Sequence, residues 1–245
     1  MEDSASSLSS RKVFLAAFRY SIPVLLGYSA IGTAFGLMLS GAGYAWWLAL
    51  LMSLWMYAGA GQFIAAGLFV AGTTLWELCL IQLVVNARHI AYGLSMLKRF
   101  EGLGLSKLYL IFSLTDETFA LLSSLPDQAE PYGESRKEWG RYMFYVALLN
   151  HCYWVTGSVI GAVAGALIPF DLQGIGFALT ALFIVLMIEQ IRRVKRPGIF
   201  LLSAAAALLG VFLLPGRVSL LGAMALALGL SPLVERKTRR TLEGT

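Results

Sequence analysis

The residues with the clearest chemical potential are polar side chains inside otherwise apolar stretches. Asn86, Arg88 and His89 fall in the middle of one such stretch. Asn86 and His89 are three residues apart, so on a helix they share a face next to that of Arg88. Arg88 is too far from Lys98, at the nearest interface, to reach water easily, so it needs an anion or a hydrated cavity. A guanidinium can hold a carboxylate through two parallel hydrogen bonds. This predicts a substrate-binding role, and the alternative is a structural ion pair.

Two adjacent carboxylates, Asp116 and Glu117, lie in the middle of another apolar stretch. Desolvation and mutual repulsion disfavour the state in which both are ionised and unpaired. A carboxyl group that can take up a proton inside a membrane is typical of proton coupling. Arg88 and Asp116 each lie 14 residues from Gly102, so a helical hairpin centred there would put them at similar depth. The spacing predicts an ion pair of Arg88 with Asp116 or Glu117, which could also act as a gate, with His89 as a further proton-accepting group.

A third interruption is the run Ala58–Phe63, which contains Gly59, Gly61 and Gln62. The glycines lower helix propensity locally, and Gln62 adds a polar side chain. A helix break here would expose backbone N–H groups at a helix N-terminus, which suits an anionic group of a substrate. The alternative is close packing of the glycines against another helix. We therefore treat Gly59, Gly61 and Gln62 as candidate substrate-binding residues.

The composition shows why these polar residues stand out. Of 245 residues, 58% are hydrophobic and 13% are charged, and residues 20–76 contain no Asp, Glu, Lys, Arg or His. A soluble domain carries roughly 25% charged residues and must cover its surface with polar groups. The composition excludes a soluble enzyme and a nucleic-acid-binding module, and it indicates a multi-spanning protein of the lipid bilayer. Cys79 and Cys152 alone could not form a metal site, so neither a metal nor a cofactor is predicted.

A membrane-spanning helix needs about 20 mainly apolar residues, and the chain has room for eight such helices, or for seven. This predicts an all-α, polytopic membrane protein with a cytoplasmic tail at 1–16, a transmembrane transport domain at 17–233 and a basic cytoplasmic tail at 234–245. With the N-terminus inside, 14 Lys and Arg residues lie on the cytoplasmic side and four lie outside, so both termini are predicted in the cytoplasm. The predicted spans are 17–39, 45–71, 74–97, 105–125, 143–167, 173–191, 198–214 and 218–233.

Glycines at four-residue spacing occur in the first and fifth predicted spans, as Gly32 and Gly36 and as Gly157, Gly161 and Gly165. Small residues at this spacing let helix backbones approach closely. The correspondence suggests a weak two-fold internal repeat of four helices each, which would be parallel rather than inverted. Helix packing alone also explains the glycines and is the favoured interpretation.

Taken together, these motifs resemble the AzlC family of bacterial branched-chain amino acid transport proteins, over most of residues 17–233. The resemblance implies efflux of leucine, isoleucine, valine or similar amino acids across the bacterial inner membrane. It also implies a small AzlD-type membrane protein as partner. The matching segments are Gly32-x-x-Phe35-Gly36, Ala58–Phe63, Asn86–His89, Thr115–Phe119, Trp154 with Gly157 and Gly161, Asp171, Gly176–Ala178 and Ala181–Phe183.

A zwitterion transporter agrees with the candidate residues. Arg88 would bind the α-carboxylate, Asp116 or Glu117 the α-ammonium, and the glycine-rich surface near Gly59 the apolar side chain. No Walker A motif occurs, which argues against ATP hydrolysis by this chain. Proton antiport through Asp116, Glu117 or His89 is then the simplest way to drive export. The alternatives are a channel or a transporter for another small organic acid. A membrane-embedded enzyme is disfavoured because neither H-E-x-x-H nor G-x-S-x-G occurs.

Overall fold

The structure is a computed structural model that describes residues 10–125, 136–167 and 197–213, with isolated residues and short pieces between 184 and 192 and between 222 and 230. None of the described residues lies in a β-strand, and the predicted all-α fold is confirmed. Most of the predicted spans 173–191 and 218–233, and the predicted C-terminal tail, lie outside the described residues. The helices are α1 (Ser10–Gly41), α2 (Trp46–Leu51, continued by the π-helical turn Met52–Met56), α3 (Gly59–Val70), α4 (Leu75–Met96), α5 (Ser106–Phe112), α6 (Asp116–Ser124), α7 (Arg136–Leu167) and α8 (Pro197–Leu213).

The chain divides into two compact units. Unit 1 consists of Met1–Gly72 and Val85–Leu172, and unit 2 consists of Thr73–Val84 and Gln173–Thr245. Helix α4 therefore starts in unit 2 and ends in unit 1. In unit 2, the structure gives full bounds for the first half of α4 and for α8. The isolated described residues between 184 and 192 and between 222 and 230 are also helical. All eight candidate site residues belong to unit 1.

Helices α1 and α7 run parallel and pack closely in unit 1. Arg141 donates a hydrogen bond to Ser10 Oγ near their first turns, at 3.2 Å. Further along, a Cβ atom on Gly36 would overlap the backbone of Ser158, and a Cβ atom on Gly161 would overlap the backbone of Thr33. Only glycine permits this approach, so the predicted role of these residues in helix packing is confirmed.

The segment 45–71 does not cross unit 1 but forms a hairpin, α2–α3. Tyr44 immediately precedes the start of this segment, and its ring lies 5.8 Å from the ring of Phe69, near the end of α3. Each limb of the hairpin rises roughly 16–18 Å, about half of a hydrocarbon core that is roughly 30 Å thick. The prediction of one continuous span at 45–71 is therefore wrong. Two apolar half-length helices have the same hydropathy as one full-length helix, which is why the sequence pattern misled.

The segment 105–125 forms a second hairpin, α5–α6, from the opposite end of unit 1. Arg99 donates a hydrogen bond to the carbonyl of Leu125, just after α6. Arg136, at the start of α7, donates to the carbonyl of Glu101 at 2.9 Å. The starts of α1 and α7, the turn 97–104 and the end of α6 thus lie together, at what we call the basic end of unit 1. The prediction of a span at 105–125 is wrong as well.

This second hairpin changes the distribution of charge along unit 1. The predicted topology puts Lys98, Arg99 and Lys107 among the four residues on the side opposite the N-terminal tail. The turn with Lys98 and Arg99 instead lies at the same end as Ser10 and Arg136, and Lys107 follows it in the first turn of α5. The prediction failed because it assumed that every apolar segment crosses the membrane. Among the described helices, α1 and α7 have the length and apolar composition needed to span a bilayer. The predicted count of eight spans is not confirmed.

The apolar core of unit 1 lies beneath the basic end, where the α5–α6 hairpin packs between α1 and α7. The aromatic rings of Trp139 and Tyr142 stack there, with centroids 5.7 Å apart. Burial of these side chains anchors the short helices α5 and α6, which are too short to be stable alone. The buried members of the core are Val13, Ala17, Met96, Phe100, Leu110, Leu114, Leu122, Leu125, Trp139, Tyr142, Met143, Val146 and Ala147.

The contact between α1 and α7 generates a stability prediction. Gly36→Ala should destabilise the protein by about 1–3 kcal/mol, because the added methyl group forces two backbones apart. Gly27→Ala is the matched control on the same helix, since nothing lies within 4 Å of its Cβ position, and it should leave the melting temperature unchanged or slightly higher. Thermal unfolding in detergent measures both variants. Equal melting temperatures for the two would contradict the close contact.

Candidate functional site

The α2–α3 hairpin is interrupted at Tyr57 and Ala58. Tyr57 has a left-handed backbone, with φ 38° and ψ 50°, which a bulky residue rarely adopts. It follows the π-helical turn Met52–Met56, a feature that is frequent at functional sites. The break predicted near Gly59 is therefore present, just before Gly59, which is the first residue of α3.

Gln62 holds this break in place. It is fully buried, and its Oε1 accepts hydrogen bonds from Trp154 Nε1 at 2.8 Å and from the backbone N–H of Ala58 at 3.3 Å. Its Nε2 donates to Ser53 Oγ at 3.2 Å. The Cβ position of Gly59 lies 3.6 Å from the ring of Trp154. Of the two alternatives that the sequence offered, the break is present, and Gly59 lies at ordinary van der Waals distance from Trp154.

The α5–α6 hairpin is interrupted at Ser113–Thr115. Thr115 caps α6, since its Oγ1 accepts a hydrogen bond from the backbone N–H of Thr118 at 3.2 Å. Asp116 and Glu117 occupy the first turn of α6, where the helix dipole stabilises negative charge. The hydropathy pattern predicts both carboxylates in the middle of a span. A threonine followed by two acidic residues is, however, a recognised signal for a helix start, and it could have located this break.

Arg88 forms an ion pair with Asp116, with 2.8 Å between Nη1 and Oδ2. The other oxygen of Asp116, Oδ1, accepts a hydrogen bond from Tyr92 at 2.7 Å. About a third of the Arg88 side chain remains exposed (32%), against 16% for Asp116. Of the two ion pairs that the spacing allowed, the structure contains the one with Asp116. The neighbouring carboxylate, Glu117, faces a different group.

Tyr28 of α1 connects the two interruptions. Its hydroxyl donates to Glu117 Oε2 at 2.7 Å and lies 2.5 Å from Thr115 Oγ1. The ring of Tyr28 meets that of Trp154 edge-on, with centroids 5.2 Å apart, and Trp154 in turn holds Gln62. Both breaks therefore lie at the level of Tyr28 and Trp154, near the middle of α1 and of α7. Tyrosine is ordinary in an apolar helix, so no sequence signal singled out Tyr28 or Tyr92.

The remaining candidate residues, His89, Asn86 and Gly61, lie near the ion pair or the first break. The ring of His89 lies 5.9 Å from that of Tyr92, beside the ion pair. Asn86 is half-buried on the same helix, and Gly61 is buried in the first turn of α3. The structure thus groups Arg88, His89 and Asp116 around Tyr92, and it places Gly59, Gly61 and Gln62 at the other break.

Two buried polar atoms at this level have no hydrogen-bond partner among the described residues, Arg88 Nε and Asn150 Oδ1. Such atoms are rare in folded proteins, and they mark places where water or a bound solute completes the hydrogen bonding. In the part of the chain that the structure describes, no group of three or more His, Cys, Asp or Glu residues could hold a metal ion.

Comparison with known proteins places this arrangement in a family. The family model described as AzlC protein matches residues 23–168, which include both hairpins and all eight candidate residues. The chain belongs to the AzlC family. Unit 1 of this AzlC-family chain is made up mainly of the matched residues.

The relatives of this AzlC-family protein carry names that refer to membranes or to transport. The "Branched-chain amino acid transport protein AzlC" of Bacillus subtilis is 38% identical over 75% of this chain and 70% of its own length. An "Uncharacterized membrane protein" of Helicobacter pylori is 45% identical over 74% of this chain and 77% of its own. "Inner membrane protein YgaZ" of Escherichia coli is 31% identical over 80% and 79% of the two chains. No solved structure matches.

The role of Gln62 generates a second prediction. Gln62→Leu should lower stability by about 1–3 kcal/mol, because it leaves buried donors without acceptors. Trp154→Phe removes one of those donors, so the double variant should lose about 1 kcal/mol less than the sum of the single variants. Thermal or denaturant unfolding in detergent gives the three values. Strict additivity would show that the hydrogen bond between Trp154 and Gln62 does not brace the break.

Proposed function

We propose that this chain is the membrane transport subunit for branched-chain or related amino acids, and that it works as an exporter. The Arg88–Asp116 ion pair carries the proposal, because it lies at a helix break about midway along the long helices α1 and α7. Charged groups at this depth are costly unless they serve a pathway or a partner. Interrupted helices at the centre of a bundle are a recurrent design of solute-binding sites in transporters. The name of the Bacillus subtilis relative supports the substrate class.

A zwitterionic substrate would replace the ion pair with contacts of its own. Arg88 still has a buried Nε without a partner among the described residues, so its guanidinium could receive a carboxylate through Nε and one Nη. Asp116, released from Arg88, would then receive the ammonium group. Glu117 is the second acceptor, since it faces Tyr28 at the same break. The carboxylate and the ammonium group of an amino acid would thus bind to Arg88 and Asp116, which pair with each other when no substrate is bound.

The proposed role of Gly59 and Gly61 in substrate binding is not that of a simple apolar surface. Gly59 already packs against Trp154, and Gln62 is engaged by three partners. Gly59 is the first residue of α3, whose N-cap residue Ala58 provides no side-chain cap. The first backbone N–H groups of α3 and its positive dipole end favour an anionic group. We propose Gly59 as part of a backbone site at the start of α3, with Gly61, Gln62 and Asn86 as positioning residues.

The distribution of charge supports an orientation with the basic end in the cytoplasm. Between residues 10 and 167, every Lys and Arg apart from Arg88 belongs to the helix starts and turns of the basic end or to the first turns of α1. Cytoplasmic segments carry such an excess. We therefore propose a multi-pass protein of the inner membrane with its N-terminus in the cytoplasm. A small AzlD-type membrane protein is the proposed partner.

Export against a gradient needs an energy source, and we propose proton antiport. Asp116 and Glu117 are the carboxyl groups at the break, and His89 lies beside them near Tyr92. Protonation of a carboxylate would weaken its hold on an ammonium group or on Arg88. Binding of a proton and binding of the substrate would then exclude each other, which is the condition for exchange.

Arg88→Lys tests the carboxylate site. A lysine keeps the charge but cannot form the two-bond fork, so transport of labelled leucine into proteoliposomes, with the partner co-expressed, should fall about tenfold or more. Arg11→Lys, at an exposed position of α1, is the matched control and should keep normal activity. Normal transport by Arg88→Lys would exclude the fork and favour a scaffolding role or a channel. Saturable counterflow in the unmodified protein separates a carrier from a channel.

Glu117→Gln tests proton coupling. The amide keeps an acceptor for Tyr28 but cannot release a proton, so counterflow of labelled leucine should persist while flux driven by a pH gradient is lost. Asp116→Asn serves as the comparison, because it also removes the partner of Arg88 and should impair both activities. If collapsing the pH gradient leaves flux unchanged in the unmodified protein, proton antiport is excluded.

A further inference from the structure

A cavity of about 490 Å³ opens at the basic end of unit 1. Three of its lining residues are cations and, among the described residues, no carboxylate lines it. Arg99 lies over the ring of Trp139, with its guanidinium carbon 5.8 Å from the ring centroid. Arg136 is fixed by the carbonyls of Arg99 and Glu101. The lining residues are Ser95, Met96, Lys98, Arg99, Phe119, Ser123, Arg136 and Trp139.

The cavity lies on the same two helix faces as the ion pair. On α4, Arg88, Tyr92 and Ser95 are spaced by four and three residues, which places them along one face. On α6, the corresponding positions are Asp116, then Phe119, then Ser123.

Contacts between side chains define successive layers from the ion pair to the cavity. Arg88 and Asp116 form the deepest layer. Next to them, the rings of Tyr92 and Phe119 stack at 4.4 Å with an interplanar angle of 9°. Phe119 also lines the cavity. The stacked rings therefore stand between the ion pair and the cavity.

We propose that this cavity is the vestibule through which a carboxylate-bearing solute reaches the Arg88–Asp116 site, and that the Tyr92–Phe119 stack is the gate that closes it. The proposal rests on the transport function proposed above. Cations around a concave wall raise the local concentration of anions, so the carboxylate end of an amino acid is drawn in first. Tyr92 links the two layers, because it stacks on Phe119 and donates to Asp116. When substrate displaces Asp116 from its partners, the Tyr92 hydroxyl loses its acceptor and the stack loses its fixed geometry.

An anionic lipid headgroup is the other occupant that a basic cavity at a membrane end could take. The observations favour a solute, because the cavity is bounded by the aromatic stack that covers the ion pair. A lipid site would need no connection to that layer.

Thiol labelling tests the vestibule without relying on transport. In a background with Cys79→Ser and Cys152→Ser, Ser123→Cys should react about tenfold faster with an anionic methanethiosulfonate than with a cationic one of similar size. The protein is reconstituted in phosphatidylcholine nanodiscs, so both ends are accessible. Lys98→Gln should reduce this preference several-fold. Ser124→Cys, a neighbouring exposed position that does not line the cavity, is the matched control and should show a smaller preference.

The outcomes separate the vestibule from its rivals. Competition by excess leucine against labelling of Ser123→Cys supports a solute path. Equal rates with the two reagents would overturn the proposal, even if the protein transports leucine. Protection by added phosphatidylglycerol, with no effect of leucine, would overturn it in favour of a lipid site. Charge-selective labelling in a protein that transports no amino acid would instead refute the proposed function while leaving an anion vestibule.

Substitutions of Phe119 test whether the aromatic stack acts as a gate. Phe119→Ala removes the stack and should increase downhill leak of labelled leucine from proteoliposomes several-fold, whereas Phe119→Tyr keeps the ring and should behave like the unmodified protein. Equal leak in all three proteins would show that the stack does not close the path.

Discussion

The close contact between α1 and α7 is the constraint on which the rest of unit 1 depends. Because Gly36 and Gly161 let the two backbones touch, the aromatic residues about two turns away also meet. Tyr28 and Trp154 lie edge to face, and each reaches outward to one helix break: Tyr28 to Glu117 and Trp154 to Gln62. An interrupted helix leaves backbone N–H and C=O groups without hydrogen bonds, and inside hydrocarbon each such group costs roughly several kcal/mol. The α1–α7 pair supplies the fixed surface against which those groups are held.

The two hairpins enter unit 1 from opposite ends and meet at this surface. A helix followed by a hairpin at its far end occurs twice, as α1 with α2–α3 and as the unit 1 part of α4 with α5–α6. The second occurrence is turned over with respect to the first, since one hairpin returns beside Tyr44 and the other beside Arg99. The glycine spacing in the sequence predicts a weak repeat of parallel halves. Within the described residues, the relation between these two pieces is inverted, the arrangement from which many transporters build two-sided access.

Particular residues show what the sequence could predict. Depth was predictable, because Arg88 and Asp116 are equally distant from Gly102 and a helix rises by a constant amount per residue. The choice of Asp116 over Glu117 was not, since it depends on Tyr28 of a distant helix taking the second carboxylate. The break at Gly59 was signalled by glycine, and that at Thr115 by a cap followed by acids. That each hairpin turns back halfway could not be predicted from hydropathy, because a helix that crosses half of the membrane is as apolar as one that crosses all of it.

The way α4 ends has a mechanical consequence. The carbonyls just beyond its last turn, at Lys98, Arg99 and Glu101, all accept hydrogen bonds from the single guanidinium of Arg136. These hydrogen bonds fix the end of α4 and would act as a pivot, and Arg88 lies about 16 Å from them along the helix. A small tilt of α4 about the pivot would swing Arg88 away from Asp116 while hardly moving Arg99. The part of α4 between the pivot and Arg88 would thus behave as a lever arm that connects the rim of the cavity to the ion pair.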